Sequence, residues 1–235
     1  MLATPSTPFA NRLLANLPRK DGQRFLADCK PVVLVLTDVL SEPGEPIRHV
    51  YFPTAGFISL VTPVDGRAGL EVGLVGDEGM LGISLILGVK ASPLKALVQG
   101  TGSALCMNAA LFRRQLEQSP ALQRLLKRYL YVVMGQLAQT IVCTRFHVVE
   151  MRLARWLLMT QDRAHSDALN VTQEFLSYML GVRRVGITKA AISLQDRKLI
   201  RYSRGDIRIL DRNGLEAVSC GCYKADKAVY VRVME

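Results

Sequence analysis

Apolar and polar positions follow two different patterns along the chain of 235 residues, and the change comes at about residue 108. Between residues 31 and 107, short apolar runs alternate with segments rich in Gly, Pro and Asp. The spacing of the runs, about ten residues, favours an antiparallel barrel or jelly roll, and VDGRAG predicts a hairpin turn within it. The runs are PVVLVL, HVYFPTAGFISLVTPV, LEVGLV, SLILG and KALVQGTGSALCMN. Residues 9–28 precede them with a helical pattern whose apolar positions are Leu13, Leu14, Leu17 and Phe25.

Beyond residue 108 the apolar spacing becomes helical. AALFRRQLEQ predicts a short helix, and a long helix follows it over residues 119–145, with Ser119 as its N-cap and Pro120 in its first turn. Apolar side chains recur along the long helix in steps of three and four residues and so form one stripe. We expect this stripe to join two copies of the chain; the alternative is packing on the sheet of the same chain. The stripe contains Leu122, Leu126, Tyr129, Val133, Leu137 and Ile141.

Two short helices with a glycine between them are predicted after the next amphipathic helix, FHVVEMRLARWLLMTQDRA. In TQEFLSYMLGVRRVGITKA, Thr172 is the expected N-cap and Gly181 supplies the positive φ of a helix-turn-helix. Small Ser177 suits the crossing of the two helices. The inward positions are Leu176, Leu180, Val182, Ile187 and Ala190. The second helix, starting near Arg183, is expected to expose Arg183, Arg184, Thr188 and Lys189 to the major groove of DNA.

A basic hairpin follows the second helix of this motif. RKLIRYSRGDIRILD predicts two short strands that turn at Arg204-Gly205-Asp206, which makes the domain a winged helix. Arg201, Arg204 and Arg208 are then expected to contact phosphates. The alternative for the whole segment is an ordinary helical hairpin with solvated arginines.

The net charge of +10 is uneven and supports DNA binding. Residues 1–119 contain 11 Lys and Arg against 10 Asp and Glu, whereas residues 146–235 contain 15 against 10. Within residues 183–212 there are nine basic and three acidic residues. Such a local excess is typical of a surface that binds phosphates, although a solvated basic surface has the same composition.

At this point the sequence resembles the Crp/Fnr family of bacterial transcription regulators over nearly its whole length. VVEMRLARWLL, TQEFLSYMLGVRRVGITKA and LQDRKLIRYSRGDIRILD are similar to the first helix, the helix-turn-helix and the wing of that family's DNA-binding domain. The resemblance implies an α+β chain with a cyclic-nucleotide-binding-like, jelly-roll β-roll in residues 1–118, a dimerisation helix in 119–145 and a winged helix-turn-helix in 146–235. The cyclic-AMP-responsive branch of the family reads bases through an Arg-Glu pair and a later Arg, and the matching positions here are Arg184, Val185 and Lys189. Since the glutamate is absent, the family's usual half-site is not implied.

The effector site departs further from the family pattern. Family members that bind cyclic nucleotides hold the phosphate with a Gly-Glu pair and a later Arg-Ser or Arg-Thr pair. Here Gly82 fits, but Ile83 stands in place of the glutamate, and Leu94 and Lys95 stand in place of the second pair. Lysine supplies a point charge without the two-pronged grip of arginine, so no ordinary cyclic AMP site is expected.

Cysteines and histidines give little sign of a cofactor. The oxygen-sensing branch of the family binds an iron–sulfur cluster through N-terminal cysteines, and residues 1–28 contain none. The chain's five cysteines lack the spacing of a disulfide framework, and Cys220-Gly-Cys222 has no nearby partner pair in the sequence. The strand-rich part contains only His49 as a histidine. The sequence therefore predicts no cofactor, no metal site and no catalytic residues.

The predicted function is that of a homodimeric regulator binding a palindromic site on double-stranded DNA. RNA polymerase is left open as a further partner, as are the effector, the operator and the direction of regulation. No signal peptide or membrane span is recognised, so a cytoplasmic protein without membrane contact is expected. Two alternatives remain: a cyclic-nucleotide or cyclic-dinucleotide receptor with a non-standard pocket, and a cupin-like metal enzyme fused to a DNA-binding domain.

Overall fold

The N-terminal part of the chain is an antiparallel β-roll. A computed structural model describes residues 10–64 and 67–235. The main sheet has the strand order β1-β5-β3-β4, and β2 pairs with β5. The central pairing of β3 with β5 sets His49 opposite Asn108, and the second half of β3 also pairs with β4 on its other side, as in Ile58 opposite Val75. The strands are β1 (Lys30–Leu34), β2 (Val39–Ser41), β3 (His49–Val64), β4 (Arg67–Val75) and β5 (Lys95–Asn108).

Two sequence predictions in this part are wrong in detail. The N-terminal helical pattern forms two helices, α1 (Arg12–Ala15) and α2 (Arg19–Ala27), because Pro18 lacks the N–H that would continue a helix. SLILG is not a strand: Ile83–Leu87 forms a 3₁₀ helix between Gly82 (φ +98°) and Gly88 (φ +76°). These two left-handed glycines turn the chain at both ends of the segment. Residue 9 of the helical prediction and Asp65-Gly66 of the predicted hairpin turn lie outside the described residues.

Helices α3 (Ala109–Gln118) and α4 (Pro120–Phe146) follow the last strand. The predicted cap is present, since the Oγ of Ser119 accepts a hydrogen bond of 3.2 Å from the N–H of Leu122. The first half of α4 packs on the β-roll, where Leu122 and Leu126 join a buried cluster with Phe52 and Phe112. Burial of this many large apolar side chains is the main force that fixes α4 on the sheet.

The C-terminal part is a winged helix-turn-helix with its own apolar core. The core joins Leu157 of α5 to Ile187 and Leu194 of α7 and to Ile207 in the wing. Two helices for which the sequence gave no prediction, α8 and α9, complete it, and Met234 of α9 reaches back into the core of the β-roll. The elements are α5 (Val149–Ala164), β6 (Ala168–Asn170), α6 (Gln173–Met179), α7 (Arg184–Asp196), β7 (Ile200–Ser203), β8 (Asp206–Ile209), α8 (Arg212–Val218) and α9 (Cys222–Met234).

Helix α5 also packs against the β-roll through polar contacts. The indole Nε1 of Trp156 donates a hydrogen bond of 2.8 Å to Oε1 of Glu71, and the guanidinium of Arg163 lies 2.7 Å from Oε1 of Glu78. The turn at Gly181 approaches the same sheet so closely that a Cβ there would lie 2.8 Å from Cδ1 of Leu70. The winged helix is thus docked on strand β4. Within the described ranges, no helix is both long and apolar enough to cross a membrane.

Candidate nucleic-acid interface

The helix-turn-helix is formed by α6 and α7. Thr172 caps α6, because its Oγ1 accepts a hydrogen bond of 3.1 Å from the N–H of Phe175. The turn between the helices has Gly181 at φ +60°, a conformation that costs other residues more than glycine. Leu176 and Ile187 are fully buried between the helices. The sequence prediction of a glycine turn between two amphipathic helices is confirmed.

One face of α7 is exposed and basic. Arg183 is the N-cap residue of α7, and Arg184 and Lys189 lie on its solvent side. Val185 lies beside them with 59% of its surface exposed, so the face combines positive charge with one apolar side chain. This combination can meet both phosphates and base edges in a major groove.

Thr188 is a correction to the predicted exposed set. It is half-buried, and its Oγ1 donates a hydrogen bond of 2.7 Å to Oε1 of Gln173 at the start of α6. The hydroxyl also lies 3.2 Å from the carbonyl oxygen of Arg184. Thr188 is not exposed because it lies on the side of α7 that faces α6, and there its hydroxyl bonds to the protein instead of to solvent. Thr188 therefore ties the two helices together.

The wing places three exposed arginines on one hairpin. Arg204 (φ +52°) and Gly205 (φ +93°) form its two-residue turn, so Asp206 belongs to strand β8 and not to the predicted turn. Arg201 and Arg208 stand directly opposite each other across β7 and β8. Two like charges in that position repel, and a bound phosphate would relieve the repulsion.

Contacts behind the hairpin hold it against the helix-turn-helix. Tyr202 donates a hydrogen bond of 2.8 Å from its hydroxyl to the carbonyl oxygen of Val171, and its own N–H donates to Oε1 of Gln195 at 2.8 Å. Burial raises the pKa of Tyr202 to about 12, so its hydroxyl remains a donor at neutral pH. Strand β6 pairs with β8 as well. Sequence reasoning missed β6, because three residues are too few to show a periodicity.

The predicted dimerisation stripe is mostly buried within the chain. Leu122, Leu126 and Tyr129 are at most 3% exposed and belong to the core of the β-roll, so this part of the prediction is corrected in favour of packing within one chain. Val133 and Leu137 are partly buried, and Ile141 is 71% exposed. A different set of apolar side chains lies exposed on α4, in heptad steps of three and four residues: Tyr131, Met134, Ala138 and Ile141.

The predicted effector residues line an apolar cavity of about 300 Å³ between the β-roll and α4. Gly82, Ile83 and Leu94 are in its wall, and Val133 and Leu137 of α4 close it. Lys95 is not in the wall: its Nζ lies 2.8 Å from Oε1 of Glu42. Two charged residues and one histidine line the cavity, and all three are exposed: Glu45, Arg48 and His49.

Comparison with known proteins agrees with this architecture. Residues 151–218 match the family described as the Crp-like helix-turn-helix domain, while no curated protein sequence matches the chain. A transcriptional regulator of the Crp/Fnr family from Eubacterium rectale is similar with a TM-score of 0.67 and 16% identity, over 88% of this chain and 96% of that chain.

Two further solved structures share the fold. FixK2 from Bradyrhizobium japonicum has a TM-score of 0.69 and 12% identity, over 82% of this chain and 98% of that chain. CLP from Xanthomonas campestris, described as a c-di-GMP responsive global regulator, has a TM-score of 0.67 and 16% identity, over 83% and 100%. The chain thus has the fold of a Crp/Fnr family transcription regulator and contains a Crp-like helix-turn-helix domain.

Proposed function

We propose that this protein is a homodimeric transcription regulator that binds a specific DNA sequence with α7 in the major groove and the wing on the phosphate backbone. The observation that carries the proposal is the position of six basic side chains on one exposed surface. Three lie on or next to the start of α7 and three on the hairpin beside it: Arg183, Arg184, Lys189, Arg201, Arg204 and Arg208.

Two of the three acidic residues within residues 183–212 form hydrogen bonds inside the domain. Asp206 accepts a hydrogen bond of 2.9 Å from Asn170, and Asp211 caps α8 by accepting one of 2.9 Å from the N–H of Gly214. Neither carboxylate forms an ion pair with the basic side chains of α7 or the wing in the described structure. The positive potential of this surface is therefore directed to solvent, where a nucleic acid would approach.

The residues of α7 suggest how bases are read. Arg184 can donate two parallel hydrogen bonds to O6 and N7 of one guanine. Exposed Val185 stands where the cyclic-AMP-responsive branch of the Crp/Fnr family has a glutamate, and an aliphatic side chain can contact the methyl group of thymine. Lys189 adds a point charge one turn further along. We infer a half-site that contains guanine next to thymine and differs from that of the cyclic-AMP-responsive branch.

Dimerisation would occur through the exposed heptad stripe of α4. Steps of three and four residues are the spacing by which two helices pack as a coiled coil. Tyr131, Met134 and Ile141 are 59%, 61% and 71% exposed, which is unusual for apolar side chains in a regular stripe. A second copy of the chain would cover them and would set two α7 helices about one turn of DNA apart.

A double substitution tests the dimer. Met134→Glu with Ile141→Glu should yield a monomer by light scattering, and its affinity for a palindromic site should fall at least about tenfold because each half-site loses its tethered neighbour. The matched control is Ala217→Glu with Ala225→Glu, which adds the same charge at exposed helical positions away from the stripe. A dimeric Met134→Glu, Ile141→Glu variant would contradict this assignment.

Selection from a pool of random duplexes tests DNA recognition. The wild-type protein should enrich a two-fold symmetric sequence whose half-sites lie about one helical turn apart. The same selection with Arg184→Ala should lose preference at one base position in each half-site. Enrichment of no sequence by the folded wild-type dimer would refute specific recognition.

A small-molecule effector is the second candidate function, and the apolar cavity favours it. Val133 and Leu137 of α4 close the cavity. A ligand bound there would therefore contact the helix that carries the exposed heptad stripe. Cyclic AMP should bind poorly, since Ile83 and Leu94 offer its phosphate no charge and Lys95 is engaged by Glu42. Calorimetry with cyclic AMP and with c-di-GMP tests this. Micromolar or tighter affinity for cyclic AMP would contradict this expectation, and such affinity for c-di-GMP would support the effector function.

A further inference from the structure

Three cysteines and one histidine, far apart in the sequence, meet at the hinge between the two parts of the chain. Cys143, Cys220 and Cys222 are at most 3% exposed, and His147 is half-buried beside them. One potential ligand atom from each of the four residues lies within 4.8 Å of all the others. We call this set the hinge cluster. Within the described ranges it is the group of side chains best arranged to hold a metal ion.

Three separate elements build the hinge cluster. Cys143 lies in the last turn of α4, and His147 follows four residues later as the C-cap of that helix, so both side chains point to one side of the helix end. Cys220 lies in the short connection after α8, and Cys222 begins α9. The hinge cluster therefore connects the C-terminal helices to the point at which α4 ends and the DNA-binding domain begins.

The distances match a single tetrahedral ion. The Sγ atoms of Cys143 and Cys220 are 3.5 Å apart, and Sγ of Cys222 lies 3.5 Å from Nδ1 of His147. Ligand bonds of about 2.3 Å to sulfur and 2.0–2.1 Å to nitrogen place such atoms about 3.6–3.8 Å apart around tetrahedral zinc. All separations among the four atoms are 4.8 Å or less, so small movements of the side chains bring them around one ion.

Neighbouring side chains suit a negatively charged complex. Three thiolates, one neutral imidazole and one divalent ion carry a net charge of minus one. Arg152 and Arg155 are both buried and line a small cavity with Cys143. Arg155 is paired with Asp226 at 2.6 Å, which leaves the charge of Arg152 to offset the complex. The Nε of Arg155 is buried without a hydrogen-bond partner in the described structure, so it is available to a thiolate.

A hydrogen bond also orients one of the ligands. The side-chain Nε2 of Gln139, one turn before Cys143 on α4, donates to Sγ of Cys222 at 2.9 Å. Such a donor fixes the orientation of the sulfur, as groups outside the ligand shell do in other metal sites. Apart from these contacts the thiols are packed against Met151, which keeps water away.

We propose that Cys143, His147, Cys220 and Cys222 bind one zinc ion. The ligand set of three thiolates and one imidazole is closed, with all four positions taken by the protein, so the site is structural or sensory and not catalytic. Since metal binding stabilises only the state in which the ligands are assembled, zinc would hold α9 and the hinge in the arrangement seen here. Loss of zinc would free the DNA-binding domain from the end of α4.

Cobalt substitution of the full-length, reduced protein tests the proposal. After removal of bound metal with a chelator, the protein should take up one Co²⁺ per chain under anaerobic conditions. The spectrum should show the visible bands of tetrahedral Co²⁺ with thiolate-to-cobalt charge transfer, and Zn²⁺ should abolish both. Reduced, folded wild-type protein that shows neither band at stoichiometric Co²⁺ overturns the proposal.

Matched cysteine variants locate the ion. Cys220→Ser and Cys222→Ser should lose the charge-transfer band, whereas Cys29→Ser and Cys106→Ser, in the β-roll, should keep it at full intensity. Gln139→Leu should keep the spectrum but weaken Co²⁺ binding about 10–100-fold, and this variant leaves every ligand in place. Equal spectra from Cys220→Ser and Cys29→Ser would overturn the assignment. Loss of the band from all four variants, each folded by circular dichroism, would do so as well.

Discussion

Two faces of the winged helix use arginine in opposite ways. On α5, Arg163 and Arg155 are buried and each forms an ion pair, with Glu78 at 2.7 Å and with Asp226 at 2.6 Å. On α7 and the wing, Arg184 and Arg204 extend into solvent. The ion pair of Arg163 holds the winged helix on the β-roll and that of Arg155 joins α5 to α9. The exposed arginines are available to a partner. Local charge composition alone does not separate the two uses, since α5 contains three arginines and α7 together with the wing contains four.

The largest effect on stability is expected from breaking the buried ion pair between Arg163 and Glu78. Arg163→Met leaves the carboxylate of Glu78 buried without its partner, and breaking a buried pair in this way costs about 3–5 kcal/mol of stability. Urea unfolding measures the loss. The control is the double variant Arg163→Met with Glu78→Gln, which removes both charges and should recover most of the stability. A loss below about 1 kcal/mol in the single variant would show that the pair is not needed.

The stability of the protein should also depend on pH through Glu71, which accepts a hydrogen bond from Trp156 of α5. Burial raises the pKa of Glu71 to about 7 from its ordinary value of 4.5, although hydrogen bonds from Ser59 and Trp156 favour the ionised form. With the folded pKa raised, the folded protein binds the proton more tightly than the unfolded chain. The contribution to stability is therefore present below pH 4.5 and is lost as the pH rises through about 7.

Glu71→Gln checks this pH dependence. The wild-type protein should lose about 2 kcal/mol of stability between pH 4.5 and 7 through Glu71, and the Glu71→Gln variant should not show this loss. Partial exposure of the side chain keeps the loss smaller than the full pKa shift would give. The measurement is a series of urea unfolding curves between acid and neutral pH for both proteins. Parallel curves across that range would assign the titration to other groups.

On the exposed surface of α7, Arg184→Ala should weaken binding to the specific duplex by about 1–3 kcal/mol. Binding to random duplexes should stay nearly unchanged. Fluorescence anisotropy at fixed salt measures both affinities. Protein stability should not change, because Arg184 is exposed. An equal loss on the two duplexes would mean that α7 enters the groove in another register.

The smallest effect is expected from Arg204→Ala at the tip of the wing. A phosphate contact adds the same attraction on every sequence, so the variant should bind specific and random duplexes about equally less well. The slope of log affinity against log salt should become shallower by about one. An alanine variant that alters preference for particular bases would place the wing in a groove and not on the backbone.

The sequence by itself determined the elements whose pattern is local. Glycine at positive φ, an N-cap threonine and a three-to-four periodicity act within a few residues, so the helix-turn-helix, the wing and the start of α4 at Ser119 could be predicted. Most apolar runs of the β-roll could be predicted as strands as well, because strands and turns alternate in sequence, but SLILG forms a 3₁₀ helix. Short or unpatterned pieces such as β6, α8 and α9 could not be predicted.

Only the tertiary structure decided which side of each element faces which neighbour. The stripe of α4 beginning at Leu122 is apolar whether a second chain or the β-roll covers it, and only packing shows that the β-roll covers its first half. The hinge cluster has the same origin: Cys143 and Cys220 are 77 residues apart in sequence, and no local pattern links them. Contacts between distant residues depend on how whole elements pack, which is settled by the summed burial of many side chains.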